Sequence, residues 1–154
     1  MEKTQNYKKI IEILDPLLNS PQTLSFQAKL SITCSVIHKR FPHWIFCGFY
    51  VVTNHNPNLL EIGPFHGDTL PCTNIKFGKG VCGTSAIEGQ TIIVDSVKDY
   101  SNYISCDSDT ASEIVLPVFQ HKKLAAVLDI DSPFIADFDT IDQGYLEKII
   151  KLIK

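Results

Sequence analysis

Residues 113–130, EIVLPVFQHKKLAAVLDI, hold two apolar runs rich in Val, Ile and Leu, separated by the polar tetrapeptide Gln120-His121-Lys122-Lys123. Runs of this length and composition are strands, and a polar interruption of hairpin length pairs them antiparallel. Upstream lie three more short runs of the same kind, IFCGFYVV (45–52), LLEI (59–62) and TIIV (91–94). Helical patterns flank them. YKKIIEIL (7–14) is a short helix that Asp15-Pro16 is expected to end, because proline disfavours helical dihedrals in the preceding residue. A second helix is expected over 22–39, started by Ser20-Pro21 and carrying Leu24, Ala28, Ile32 and Val36. The last stretch, TIDQGYLEKIIKLIK, places Ile141, Tyr145, Ile149 and Leu152 at helical spacing with Asp139 as N-cap. The expected architecture is α+β: a central antiparallel sheet of five or six strands with N- and C-terminal helices on one face.

Composition narrows the class. The 154 residues suit one domain, and the 44% hydrophobic and 20% charged content is that of a folded protein. The net charge of −3 is unclustered, which argues against nucleic acid as a partner. The N-terminal apolar run is short and interrupted by Glu12, Asp15 and Pro16, so neither a signal peptide nor a membrane span is expected. Five cysteines, an odd number without an export signal, disfavour a disulfide framework and point to a cytoplasmic, reducing setting. Cys34 and Cys47 sit in apolar patterns and are expected to be buried packing residues.

Residues 63–112 stand apart, with one expected strand and three of the five cysteines. Long segments of sparse regular structure in compact proteins usually build binding or catalytic sites. Glycines at 63, 67, 78, 80 and 83 let backbone N–H groups approach a ligand, such as a carboxylate. Neither a phosphate-loop nor a dinucleotide-binding glycine frame is present. His66, within this segment, is expected on a surface loop or in the pocket wall, and Lys79 in solvent. No C-x-x-C pair or cysteine–histidine cluster points to a metal.

The blocks GFY (48–50), GPF (63–65), FGKGVCGT (77–84), ISCD (104–107), SEIVLP (112–117) and VLDIDS (127–132), in this order, resemble the free methionine-(R)-sulfoxide reductases of the GAF-domain superfamily. The resemblance covers roughly residues 45–132. It implies one GAF-like domain over 1–154, acting on free L-methionine-R-sulfoxide, recycled by thioredoxin, able to form a homodimer and needing no cofactor. It makes Cys106 the nucleophile, Cys72 the resolving thiol and Cys82 a second redox-active thiol, and leaves open which of the last two reacts first. Glu113, Asp129 and Asp131 fall on its substrate-binding carboxylates and Tyr50 on a pocket aromatic. Phe46 stands where the family has a tryptophan, and Trp44 lies two positions earlier.

The residues suit that chemistry. A thiolate attacking a sulfoxide sulfur needs the oxygen protonated or strongly hydrogen-bonded, and an ionised carboxylate can only accept hydrogen bonds. Close carboxylates in a dry pocket raise one another's pKa, which keeps a proton available. Asp129 and Asp131, two apart on a strand, share a face, and the hairpin brings Glu113 within reach. Glu113 and Asp131 are therefore expected to share a proton on the sulfoxide oxygen, with Asp129 or a neighbour at the ammonium. A GAF module that binds a small ligand without turnover, or a thiol-based redox sensor, remains the alternative reading. Saturable turnover separates them.

Overall fold

The structure, a computed structural model, describes residues 2–20 and 23–154. Helices α1 (Glu2–Leu18) and α2 (Phe26–Arg40) precede strands β1 (Phe46–Val52), β2 (Leu59–Gly67) and β3 (Asn74–Lys76). Helix α3 (Gly80–Glu88), strand β4 (Ile92–Val94), strands β5 (Ser112–Gln120) and β6 (Lys123–Ser132) and helix α4 (Thr140–Ile150) complete the chain. The six strands form one antiparallel sheet in the order β3-β2-β1-β6-β5-β4. Among the described residues no helix is long and apolar enough to cross a membrane.

The expected hairpin is present and tighter than its polar tip suggests. Gln120 pairs with Lys123, leaving His121 (φ 48) and Lys122 (φ 65) as a two-residue turn with both centres left-handed.

Alternation along the central strands assigns the two faces. Cys47 and Phe49 of β1, Ile114, Leu116 and Val118 of β5, and Ala126, Leu128 and Ile130 of β6 join α1, α2 and α4 in one core. Phe46, Tyr50, Val115 and Val127 point the other way and pack with Ile75, Val81, Cys82 and Ala86 under α3. The terminal helices thus lie on one face, as expected, and the other carries α3 and the loops.

Three expectations are corrected. Helix α1 runs through Asp15-Pro16 to Leu18, because Pro16 sits in the last turn, where one lost hydrogen bond is offset by burying Leu14 and Leu18. Helix α2 starts at Phe26, capped by Ser25, whose side chain accepts from Ala28 N at 3.2 Å; the supposed start at Pro21 lies outside the described residues. Its buried face is Leu30, Thr33, Cys34 and Ile37 rather than the stripe spaced strictly by four, since steps of four drift about 40° around a helix each time. Besides the expected strand β4, residues 63–112 hold regular structure that was not expected: the end of β2, β3, α3 and a 3-10 turn at Val97–Asp99.

Helix α4 has the expected Asp139 cap, now part of a capping box with Asp142. Its buried face is Asp142, Leu146, Ile149 and Ile150, whereas Ile141 is exposed. Asp142 is fully buried and accepts from Tyr7 Oη at 2.6 Å and Lys3 Nζ at 2.7 Å, tying α4 to α1. Removing this carboxylate strands a buried phenol and a half-buried ammonium. Asp142→Ala is expected to cost about 3 kcal/mol, or roughly 10 °C in Tm, by thermal unfolding followed by circular dichroism.

Candidate functional site

The sheet face opposite the terminal helices floors a cavity enclosing about 450 Å³ of empty space, its open mouth included. Pairing between strands builds the floor. Glu113 lies directly opposite Asp131, Val115 opposite Asp129, and Asp129 in turn opposite Gly48 of β1. Directly opposed residues on one face hold their Cβ atoms about 5 Å apart, so three carboxyls from two strands converge. Glu113 is 5% and Asp129 6% exposed, and Asp131 is half-buried. Among the described residues, one oxygen each of Asp129 and Asp131 is buried without a hydrogen-bond partner.

Helix α3 forms one wall. Its first turn, Gly80, Val81 and Cys82, lines the cavity, and first-turn N–H groups have no partner inside a helix. Gly83 allows the helix this close: a Cβ there would sit 2.4 Å from the Lys76 carbonyl oxygen. The glycines that read as a loop signal thus serve a helix. Cys82 is 3% exposed, forms no disulfide, and contributes its sulfur to a group with carboxylate oxygens of Glu113 and Asp129, all within 4.8 Å of one another.

A disulfide borders the cavity. Cys72 and Cys106 are joined by a disulfide with a Cα–Cα distance of 5.3 Å, spanning 34 residues of chain. Cys106 is exposed and Cys72 half-buried. Pro71, Tyr103, Cys106 and Asp107 line the cavity beside the bridge.

Aromatic side chains form the remaining wall. Tyr50 and Phe46 line the cavity, and Phe46 stacks on Phe65 with ring centroids 5.7 Å apart. Gly48 makes room for this arrangement, since a Cβ would come within 2.5 Å of Phe65 Cβ and 2.7 Å of Phe46 Cζ. Trp44 belongs to the helix-side core, where it stacks on Phe41 at 4.2 Å and donates from Nε1 to Asp137 at 3.0 Å. It therefore does not substitute for the aromatic at position 46.

Burial dominates the electrostatics. It pushes the Glu113 carboxyl well above the usual range, and the neighbouring Asp129 and Asp131 charges push it further. Asp131 is raised by burial and then by Asp129 and Asp107, and Asp129 is pushed up to about 6 by burial. The Cys82 thiol is raised by burial, then by Asp129 and Glu113, which holds it protonated. The hydroxyls of Tyr50 and Tyr103 are raised chiefly by burial and stay O–H donors.

The structure brings together Cys72, Cys106, Cys82, Glu113, Asp129, Asp131, Tyr50 and Phe46 around one cavity. It leaves out His66, which is exposed and stacks on His38 of α2 at 5.6 Å. Lys79 is exposed at the N-cap of α3, and Cys34 and Cys47 are buried in the helix-side core. Tyr103, Phe65 and Gly48 were not singled out from the sequence. Only Gly48 carried a signal there, a glycine inside a strand pattern, which marks a close approach.

A buried acid whose pKa is raised stabilises the fold fully below the ordinary carboxylate range and loses that contribution as pH rises through its folded value. For Asp129 the loss falls between about pH 4 and pH 6. In metal-free buffer, Asp129→Asn should raise Tm at pH 7, by at most about 3 kcal/mol in stability, and the gain over the unsubstituted protein should vanish near pH 4. Paired thermal melts across that range measure it.

No family model matches the chain. It is 40% identical over 154 residues to the free methionine-R-sulfoxide reductase of Saccharomyces cerevisiae, covering 92% of this chain and 84% of that one. The free methionine-R-sulfoxide reductase of Neisseria meningitidis, solved in complex with its substrate, superposes with a TM-score of 0.90 at 34% identity, covering 98% of this chain and 87% of that one. A GAF domain structure matches with a TM-score of 0.89 at 36% identity over 97% of this chain and 85% of that one.

Proposed function

The chain belongs to the free methionine-R-sulfoxide reductases, oxidoreductases on the GAF fold, and from that premise we propose that it reduces free L-methionine-R-sulfoxide with Cys106 as nucleophile and Cys72 as resolving thiol. The observation that carries this reading is the Cys72–Cys106 disulfide at the mouth of a cavity floored by three buried carboxyls.

The cavity has a direction that suits an amino acid with an oxidised tail. Asp129 lies beside Cys82 on the first turn of α3, whereas Asp131 feels the charge of Asp107, the neighbour of Cys106. The zwitterionic head fits the first end: its ammonium against Asp129, its carboxylate at the N-terminus of α3, where partial positive charge collects. The sulfoxide then lies at the other end, between Cys106 and the Glu113–Asp131 pair. Phe46 and Tyr50 flank the side chain and supply apolar contact.

In the reduced protein the Cys106 thiolate attacks the sulfoxide sulfur while the proton shared by Glu113 and Asp131 passes to the oxygen. The oxygen moves to Cys106 as a sulfenic acid and methionine is released. Cys72 then attacks the Cys106 sulfur, expelling water and forming the disulfide. Two thiols of thioredoxin, reacting through a mixed disulfide, return both cysteines to the reduced form. Cys82, held as a buried thiol, is a poor nucleophile for this cycle and is assigned to the wall of the head-group end.

Methionine release from free L-methionine-R-sulfoxide with thioredoxin as reductant tests the proposal. Turnover is expected, lost entirely in Cys106→Ser. Glu113→Gln, which cannot deliver the proton, should lower kcat by about 10²–10⁴-fold. Failure of the unsubstituted, fully reduced protein to turn over would sink the reading and leave a ligand-binding GAF module. Gly48→Ala, which forces Phe46 into the cavity, should raise KM by about tenfold or more without preventing the disulfide.

A further inference from the structure

We propose that Cys82, Glu113 and Asp129 form a binding site for a thiophilic divalent cation, with zinc the fitting ion, between the cavity floor and the first turn of α3. The three donors come from α3, β5 and β6, and their sulfur and oxygen atoms lie within 4.8 Å of one another. All three residues are buried. In tetrahedral zinc with sulfur at about 2.3 Å and oxygen at about 2.0–2.2 Å, neighbouring sulfur and oxygen ligands are roughly 3.6 Å apart. Closing the group around an ion therefore takes shifts of about 1 Å, within the reach of side-chain torsions.

A second observation points to a cation. Asp129, 6% exposed, has a buried carboxylate oxygen with no hydrogen-bond partner among the described residues, and so does Asp131 beside it. The protonated Cys82 and Glu113 lie beside Asp129 but leave this oxygen without a hydrogen bond, and a desolvated carboxylate oxygen left unbonded carries a cost that a bound cation relieves. The donor set selects the ion. Calcium wants six to eight oxygens and magnesium an octahedron of them, whereas one thiolate with two carboxylates suits zinc, the protons of Cys82 and Glu113 passing to solvent as the ion binds. Three protein donors leave a fourth tetrahedral position for water.

The site itself stands without any assumption about turnover. One consequence rests on the function proposed above: Asp129 cannot hold a zinc ion and the substrate ammonium together, so the ion and the amino acid exclude each other. Zinc would then be a competitive inhibitor.

The disulfide form isolates the site, because Cys72 and Cys106 are tied together and Cys34 and Cys47 lie in the other core. This form, stripped with a chelator and titrated with Co²⁺, should develop a near-ultraviolet thiolate-to-cobalt charge-transfer band that saturates at one equivalent. One equivalent of Zn²⁺ should erase it; a hundredfold excess of Mg²⁺ or Ca²⁺ should not. Cys82→Ser should abolish the band, and Glu113→Gln should keep it while weakening Co²⁺ binding by more than about tenfold. Absence of the band in the unsubstituted protein, or its persistence in Cys82→Ser, overturns the proposal. If Cys82→Ser does not fold, unchanged Co²⁺ affinity in Glu113→Gln overturns it equally. A protein that shows the band but no reductase activity keeps the cation site and loses only the competition.

Discussion

A slip of one residue in the pairing of β5 with β6 would turn one strand over against the other, sending either Glu113 or the pair Asp129 and Asp131 into the helix-side core, with Ile114 or Leu128 and Ile130 exposed to the cavity in exchange. The register is held because both faces are committed. Leucines and isoleucines on one side need the terminal helices, and the acids on the other cannot enter that core without several kcal/mol of desolvation per charge. The tight turn at His121 and Lys122 fixes the same register locally. The hairpin is thus both the centre of the sheet and the floor of the site.

This division lets the protein tolerate an unfavourable site. Three carboxyls with raised pKa values in one cavity oppose folding at neutral pH, and partnerless oxygens on Asp129 and Asp131 add to that cost. The opposing face supplies the compensation: a continuous apolar core spanning three helices and three strands, closed by the buried Asp142 contact with Tyr7 and Lys3. Stability and chemistry are carried by opposite sides of the same strands, so substitutions on one face leave the other largely intact.

The hairpin, the alternation and the cysteine-rich segment were legible because each is a local pattern: period two, a polar tip, glycine clustering. The helical faces were less so. Regular spacing by four misplaced the buried stripe of α2, and in α4 the helical spacing found Ile149 but put the exposed Ile141 on the buried face; Thr33 and Asp142 occupy core positions that hydrophobicity does not mark. Helix α3 was hidden because its glycines divide two tasks: Gly78 and Gly80, at positive φ, turn the chain as a loop would, whereas Gly83 serves the packing of the helix against Lys76. The grouping of Cys82 with Glu113 and Asp129 was invisible for another reason. Its members are far apart in the chain and meet only through sheet order and the placement of α3, so no spacing rule could find them.

The bridge between Cys72 and Cys106 encloses β3, α3 and β4 in a ring of chain. Closing a loop of 34 residues removes about 4 kcal/mol of conformational freedom from the unfolded segment by chain-entropy reasoning. Oxidation therefore acts as a clasp on the wall of the cavity: the bonded molecule holds α3 under tether, and the reduced molecule must hold it by packing alone. Local opening of that wall is then easier without the bridge than with it.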